Sequence, residues 1–148
     1  MPQTTLDLAL VGAFVSRDVS TPQTAPSSGG YDLTISWTVE EFDTDNMFDA
    51  GTPTRLTIQT AGTYIVVASA GFVANATGDR AASIFKNGAE QIQQVEGRAP
   101  AVFFWAGSMA AVDQMAAGDF VDLRVAQNSG AGLNTGDCFF AALGFGQA

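Results

Sequence analysis

The chain has no histidine among its 148 residues. That absence removes Ser-His-Asp and Cys-His catalysis, His-ligated zinc and HExxH chemistry together. Its one cysteine, Cys138, cannot close an internal disulfide. Cys138 sits in GDCFFAALGFG, an apolar setting that raises a thiol's pKa and marks a structural residue, not a nucleophile. Positive charge is scarce: six Lys and Arg stand against fifteen Asp and Glu, a net charge of −9. A surface of that sign repels phosphate backbones and anionic lipid, so neither nucleic acid nor membrane is expected as a partner. No apolar run reaches bilayer length, and neither GxxxxGK[ST] nor a helix-opening GxGxxG is present, so no nucleotide or other cofactor is expected. The opening MPQTTLDLALVGAF has no basic leader, and a cleaved secretion signal is not expected. No enzymatic activity is expected.

What is there is apolar. Hydrophobic residues make up 47% of the chain and charged ones only 14%, a balance that demands a packed core in one domain covering residues 1–148. The apolar runs are short, rich in Val, Ile, Phe and Thr, and cut by Gly, Asn, Asp and Pro, which reads as all-β. Nine strands are expected: Leu6–Val15, Tyr31–Phe42, Arg55–Thr60, Thr63–Ala74, Ala81–Lys86, Ile92–Val95, Val102–Val112, Phe120–Gln127 and Cys138–Phe145. Between the first two, SRDVSTPQTAPSSGG (residues 16–30) reads as a long exposed loop and the most mobile segment. Residues 1–6 are a candidate N-terminal arm.

Several strands are apolar on both parities. Tyr64, Val66 and Ala68 alternate with Ile65 and Val67, Phe103 and Trp105 with Phe104, and Phe139, Ala141 and Leu143 with Phe140 and Ala142. A sandwich core uses one face of each strand. Crossover helices that would bury parallel strands on both faces are missing from the pattern. The second face therefore calls for a subunit contact, because soluble monomers rarely leave so large an apolar patch wet. The contact residues expected from parity are Val67, Phe104, Phe139 and Ala141.

The order of motifs resembles the jelly roll of the tumour necrosis factor family and of the globular heads of the first complement component. AFVS resembles the opening strand of that family, and FDTDNMFDAGTPTRLTIQTAGTYIVVASAGF is similar to its phenylalanine, acidic turn, glycine and following strand. IFKNGA, QMAAGDFVDLRV and CFFAALGFG resemble the next hairpin, the Gly-Asp strand and the closing strand. The resemblance implies an antiparallel jelly-roll β-sandwich that assembles as a homotrimer. Jelly rolls of this size without a catalytic set are similar to bacteriophage virion proteins. The expectation is a capsid decoration or cement protein on the outer capsid surface, assembled in the host cytoplasm, with the major capsid protein as partner. A receptor-binding or fibre-tip head that holds a host glycan or protein is the alternative.

Other residue groups carry a sharper and a plainer reading. Asp43, Asp45, Asn46 and Asp49 present oxygen ligands suited to calcium, but without the EF-hand glycine and glutamate offsets they read as a solvated acidic turn. Trp37 and Trp105 are suited to sugar stacking but read as core. Arg55, Arg80, Arg98 and Arg124 suit interface pairing with carboxylates but read as solvated pairs. Asn75-Ala76-Thr77 matches a glycosylation acceptor and reads as a surface turn.

Overall fold

A computed structural model describes residues 8–147, all in strands, turns and loops. The candidate arm, residues 1–6, lies outside the described residues. In chain order the strands are β1 (Leu8–Arg17), β2 (Thr24–Ala25), β3 (Leu33–Thr34), β4 (Val39–Asp43), β5 (Leu56–Thr57) and β6 (Gly62–Phe72). They continue with β7 (Asp79–Lys86), β8 (Glu90–Arg98), β9 (Trp105–Met115), β10 (Phe120–Gln127), β11 (Leu133–Asn134) and β12 (Cys138–Gln147). One sheet has the order β4-β1-β12-β6-β9, and the other has the order β3-β10-β7-β8 with β5 also pairing β10. All of these pairings are antiparallel.

The period of two along each strand decides what fills the space between the sheets. Tyr64, Val66, Ala68 and Ala70 of β6 point inward with Phe140 and Ala142 of β12, and they meet Ala82 and Ile84 of β7 and Val121, Leu123 and Val125 of β10. Trp37 stacks on Phe140 with centroids 5.5 Å apart and planes 10° apart, and Trp105 is buried against Phe72. Both tryptophans therefore serve the core. Cys138 is buried as well, and burial pushes its thiol up to about 11.

Tyr64 fixes one tight contact. Its hydroxyl donates to the Thr60 carbonyl at 2.6 Å, and its ring lies so close to Gly144 that a Cβ there would sit 2.5 Å from a ring carbon. Neither side can yield, because Gly144 and Tyr64 are cross-strand partners. Gly144→Ala is expected to cost about 1–3 kcal/mol by overpacking, read as a lower urea midpoint at unchanged slope.

The structure corrects four expectations. Tyr31–Phe42 is not one strand: Ile35 donates its N–H to Leu123 of the second sheet, whereas Trp37 donates to Pro53 and Thr38 to Ser16 of the first. The chain crosses the sandwich there, so β3 and β4 belong to different sheets. The strand expected at Val102–Val112 begins at Trp105, and Phe103 and Phe104 are not two faces of it, since residues 101–104 are all exposed and alternation starts only with Trp105. Residues 16–30 are exposed along most of their length but tied down: β2 pairs β11, and the buried Gln127 amide donates to the carbonyls of Ala25 and Ala131 at 3.0 and 2.7 Å.

The arginines are the fourth correction. Only Arg98 is a solvated pair, 3.8 Å from Asp79. Arg124 makes two bonds to the buried Asp122 carboxylate, at 2.7 and 3.1 Å, and Arg55 lies over the Phe120 ring at 4.5 Å. Arg80 is 1% exposed with no carboxylate partner among the described residues.

At the other end of the sandwich, Lys86 donates to the Asp113 carboxylate at 2.9 Å and to the Gln114 carbonyl at 2.8 Å. Hydrogen bonds from Asn87 and from the Ala116 N–H, with the nearby Lys86 charge, hold Asp119 below its ordinary 3.8. The Asp113 bond raises Lys86 above its ordinary 10.5. A lowered carboxylate contributes stability that is present above its unfolded pKa and lost as pH falls through its folded one. A raised lysine contributes stability that is lost as pH rises through its folded value. Urea midpoints measured against pH should therefore drop below pH 3.8 and again on the alkaline side. The alkaline drop starts above pH 9.0, as burial withholds ionisation from Cys138 in the folded chain, and continues above pH 10.0 for Tyr31 and Tyr64 and above pH 10.5 for Lys86. A Lys86→Met chain should lose only the lysine's share of the alkaline drop.

Candidate functional site

The outer faces of the two sheets are finished in different ways. On the β3-β10-β7-β8 sheet the aromatic Phe85 is covered: Arg124 lies 4.3 Å over its ring, and Tyr31 meets its edge with centroids 5.7 Å apart. The Arg124 guanidinium is in turn held by Asp122. This is a solvent surface with its apolar groups capped by charge.

Among the described residues, the β4-β1-β12-β6-β9 sheet has no such cover. Its registers set outward side chains in rungs: Phe14, Ala141, Val67 and Ala110 on one, and Gly12, Leu143, Ile65 and Val112 on the next. Phe42 joins the first rung through β4. Phe139 stands one rung further along, between Ser16 and Ser69, and Leu10 pairs Phe145 toward the other end. Phe14 is the centre of an aromatic ridge, with ring centroids 6.1 Å from Phe42 and 6.2 Å from Phe139. Phe139 is 44% exposed, Val67 42% and Val112 68%. Leu143 lies flat across Gly12, where an added Cβ would come within 2.7 Å of its methyl.

Polar pairs bound this field. Ser108 and Ser69 meet at 3.1 Å on the rung beside Phe139, and Gln114 donates to Thr63 at 2.6 Å toward the opposite end. Ser16 donates to Glu41 at 2.6 Å beside β4. The apolar centre inside a polar border has the anatomy of an interface.

Of the four contact residues expected from parity, Val67, Phe139 and Ala141 stand together on this face. Phe104 does not. It lies in the β8–β9 connection, 64% exposed beside Val102 and Phe103 at 77% and 74%. Sequence reasoning missed Phe14, Phe42 and Leu10. Phe14 and Leu10 share a parity within LALVGAFV, where Ala13 and Val15 hold the core side. That alternation is the signal that was available.

The acidic turn spends the oxygens of Asp43 and Asp49 on its own backbone, while Asp45 Oδ2 is buried without a partner among the described residues. Asp43 accepts from the N–H groups of Asp45 and Phe48 at 3.1 and 2.8 Å, and Asp49 accepts from Gly51 at 2.8 Å. Among the described residues, no group of three or more Asp, Glu or Cys is placed to hold a metal ion. A groove of about 470 Å³ beside Asp79, Glu96, Arg98 and Asn128 is polar and lacks an aromatic floor. Asn75 turns its side-chain oxygen to the Thr77 N–H at 2.9 Å, making the surface turn.

No protein-family model matches the chain. No curated protein matches it either. Solved structures do. The globular domain of zebrafish complement 1qA protein superposes with a TM-score of 0.65 at 15% identity, over 88% of this chain and 94% of that one. Eiger TNF from S. frugiperda gives 0.67 at 11% identity, over 94% of each chain. Murine APRIL at pH 5.0 gives 0.66 at 10% identity, over 90% of this chain and 99% of that one. The fold is the TNF-like jelly roll. Within this TNF-like frame, the bare face is the outer surface of the sheet that carries both the opening strand β1 and the closing strand β12.

Proposed function

We propose that this chain is a non-enzymatic structural protein that assembles as a homotrimer through the bare β4-β1-β12-β6-β9 face, and that the trimer decorates the outside of a bacteriophage capsid as a cement protein. The observation that carries the reading is the contrast between the two outer faces. Phe85 is capped by an arginine held in an ion pair, whereas Phe14, Phe42 and Phe139 form a ridge with no charged cover among the described residues. A cyclic assembly buries that ridge in every copy without leaving an open end. The net charge of −9 supports an exterior position, since the DNA side of a shell would oppose it. Bridging several major capsid subunits from outside is binding work and needs none of the missing catalytic groups.

Imaging undecorated capsids after incubation with the purified protein tests this reading. Density for a threefold object at regular positions on the outer shell is expected. Capsids that stay bare, with the protein binding a host glycan instead, would replace cement with a receptor-binding head.

A further inference from the structure

The outer face of the β3-β10-β7-β8 sheet has a step in it. Successive outward rungs there carry Arg124, Ser83 and Gln94, then Ala126, Ala81 and Glu96, then Asp79 beside Arg98. Of these, only the middle rung sets two alanines side by side, so the longer side chains on either side of it wall a trough floored by two methyl groups. The loop around Gly29 closes one flank, and its position is fixed: the Gly29 N–H donates to the Gln127 carbonyl at 3.0 Å. The trough encloses about 470 Å³, within the roughly 300–1,000 Å³ that small-molecule sites occupy. It belongs to the sheet opposite the bare face, so an assembly closed through that face leaves it open in every copy.

The groups around this floor alternate between acceptor and donor. Glu96 enters none of the ion pairs among the described residues. Arg98 meets Asp79 through Nε at 3.8 Å, too far for a hydrogen bond, and its side chain is 93% exposed. Its terminal nitrogens therefore remain as donors. The Asp79 N–H donates to Asn128 Oδ1 at 2.5 Å, which leaves Asn128 Nδ2 as a second donor. A cation entering the trough meets the Arg98 guanidinium, and an anion meets two carboxylates on a chain of net charge −9. Like charges brought together in this way oppose binding. A hydroxyl both donates and accepts. Neighbouring hydroxyls on a sugar ring can satisfy carboxylate and guanidinium together while the ring's C–H face rests on the methyls.

We infer that this trough binds an uncharged glycan, with the sugar's C–H face on Ala81 and Ala126 and its hydroxyls shared among Glu96, Asp79, Arg98 and Asn128. The inference goes beyond the capsid reading and does not rest on it. Without an aromatic platform each site is weak, with a dissociation constant on the order of 1 mM.

The test titrates the isotope-labelled full chain with lactose, cellobiose, maltose and diacetylchitobiose and follows the amide chemical shifts. At least one of these neutral disaccharides is expected to shift the amides of Ala81, Gly97 and Asn128 saturably. Ala81→Leu fills the floor from an outward position, and Glu96→Gln removes one acceptor's charge. Each should weaken that binding roughly 10-fold or more, the loss expected for a bond to a charged group, with the unfolding midpoint unchanged. Sialyllactose and the glucosamine disaccharide, which carry the opposite charges, should bind roughly 10-fold more weakly than the neutral sugar. No saturable shift with any neutral sugar, equal binding of a charged one, or full binding kept in either variant would overturn the inference. None of these outcomes touches self-association, which sedimentation reads separately.

Discussion

Phe139→Asp is expected to yield folded single chains at concentrations where the wild type is assembled. In the isolated chain Phe139 is 44% exposed and touches mainly Phe14, so the carboxylate stays wet there and folding is barely taxed. In the assembly the same group lies at the level of Ser69 and Ser108 under a neighbouring copy, with no cation on its rung. Burying an unpaired carboxylate costs about 3 kcal/mol or more, which at 1.4 kcal/mol per decade is roughly a 100-fold loss per contact. Gln91→Asp, on the exposed part of β8 in the other sheet, should leave the assembly unchanged. Sedimentation of both variants beside the wild type reads the difference. An assembled Phe139 variant would place the contact elsewhere.

The second large effect concerns folding. Arg80 is the largest fully buried side chain. Its guanidinium donates to the carbonyls of Thr77 and Asp79 at 2.9 Å and of Asn75 at 3.0 Å, and it lies 5.8 Å from the Phe72 ring centroid. Three carbonyls of one connection are thus gathered on one planar cation, which fixes the turn between β6 and β7. Among the described residues its Nε finds no partner, and burial pulls its pKa down. Arg80→Met keeps the volume but orphans three carbonyls. The loss is expected to be about 2–4 kcal/mol, since bonds to a charged donor are each worth about 1.5–3 kcal/mol before the relief of desolvation is subtracted. Arg80→Lys should restore little, because one ammonium cannot span the set. Denaturant unfolding checks both variants, and a shift under about 0.5 kcal/mol in Arg80→Met would show that the turn holds itself.

Strands with a clean period of two were legible from the residues alone. Phe120–Gln127 falls on its expected bounds, and β6 and β12 differ from theirs by two residues at most. The double-sided apolar pattern of Tyr64–Ala68 and Phe139–Leu143 also marked the bare face. What failed had physical causes. Leu33, Ile35 and Trp37 share a parity because they cross the core between sheets, and a corner that keeps its side chains inward looks in sequence like one strand. Val102, Phe103 and Phe104 carry strand-forming side chains, but their exposure depends on where the sandwich ends. The 16–30 segment has a loop's composition, and its tether, the Gln127 amide, lies more than a hundred residues away from Ala25. Arg80 was unreadable for a similar reason: its partners are backbone oxygens, which every sequence has.

Sedimentation equilibrium of the unmodified chain across a dilution series, down to low micromolar concentration, puts the bare aromatic face to its most direct test. A single species of three chain masses is expected, giving way to one chain mass only on strong dilution. A folded species of one chain mass at every concentration, with Phe14, Phe42 and Phe139 left in water, would contradict it.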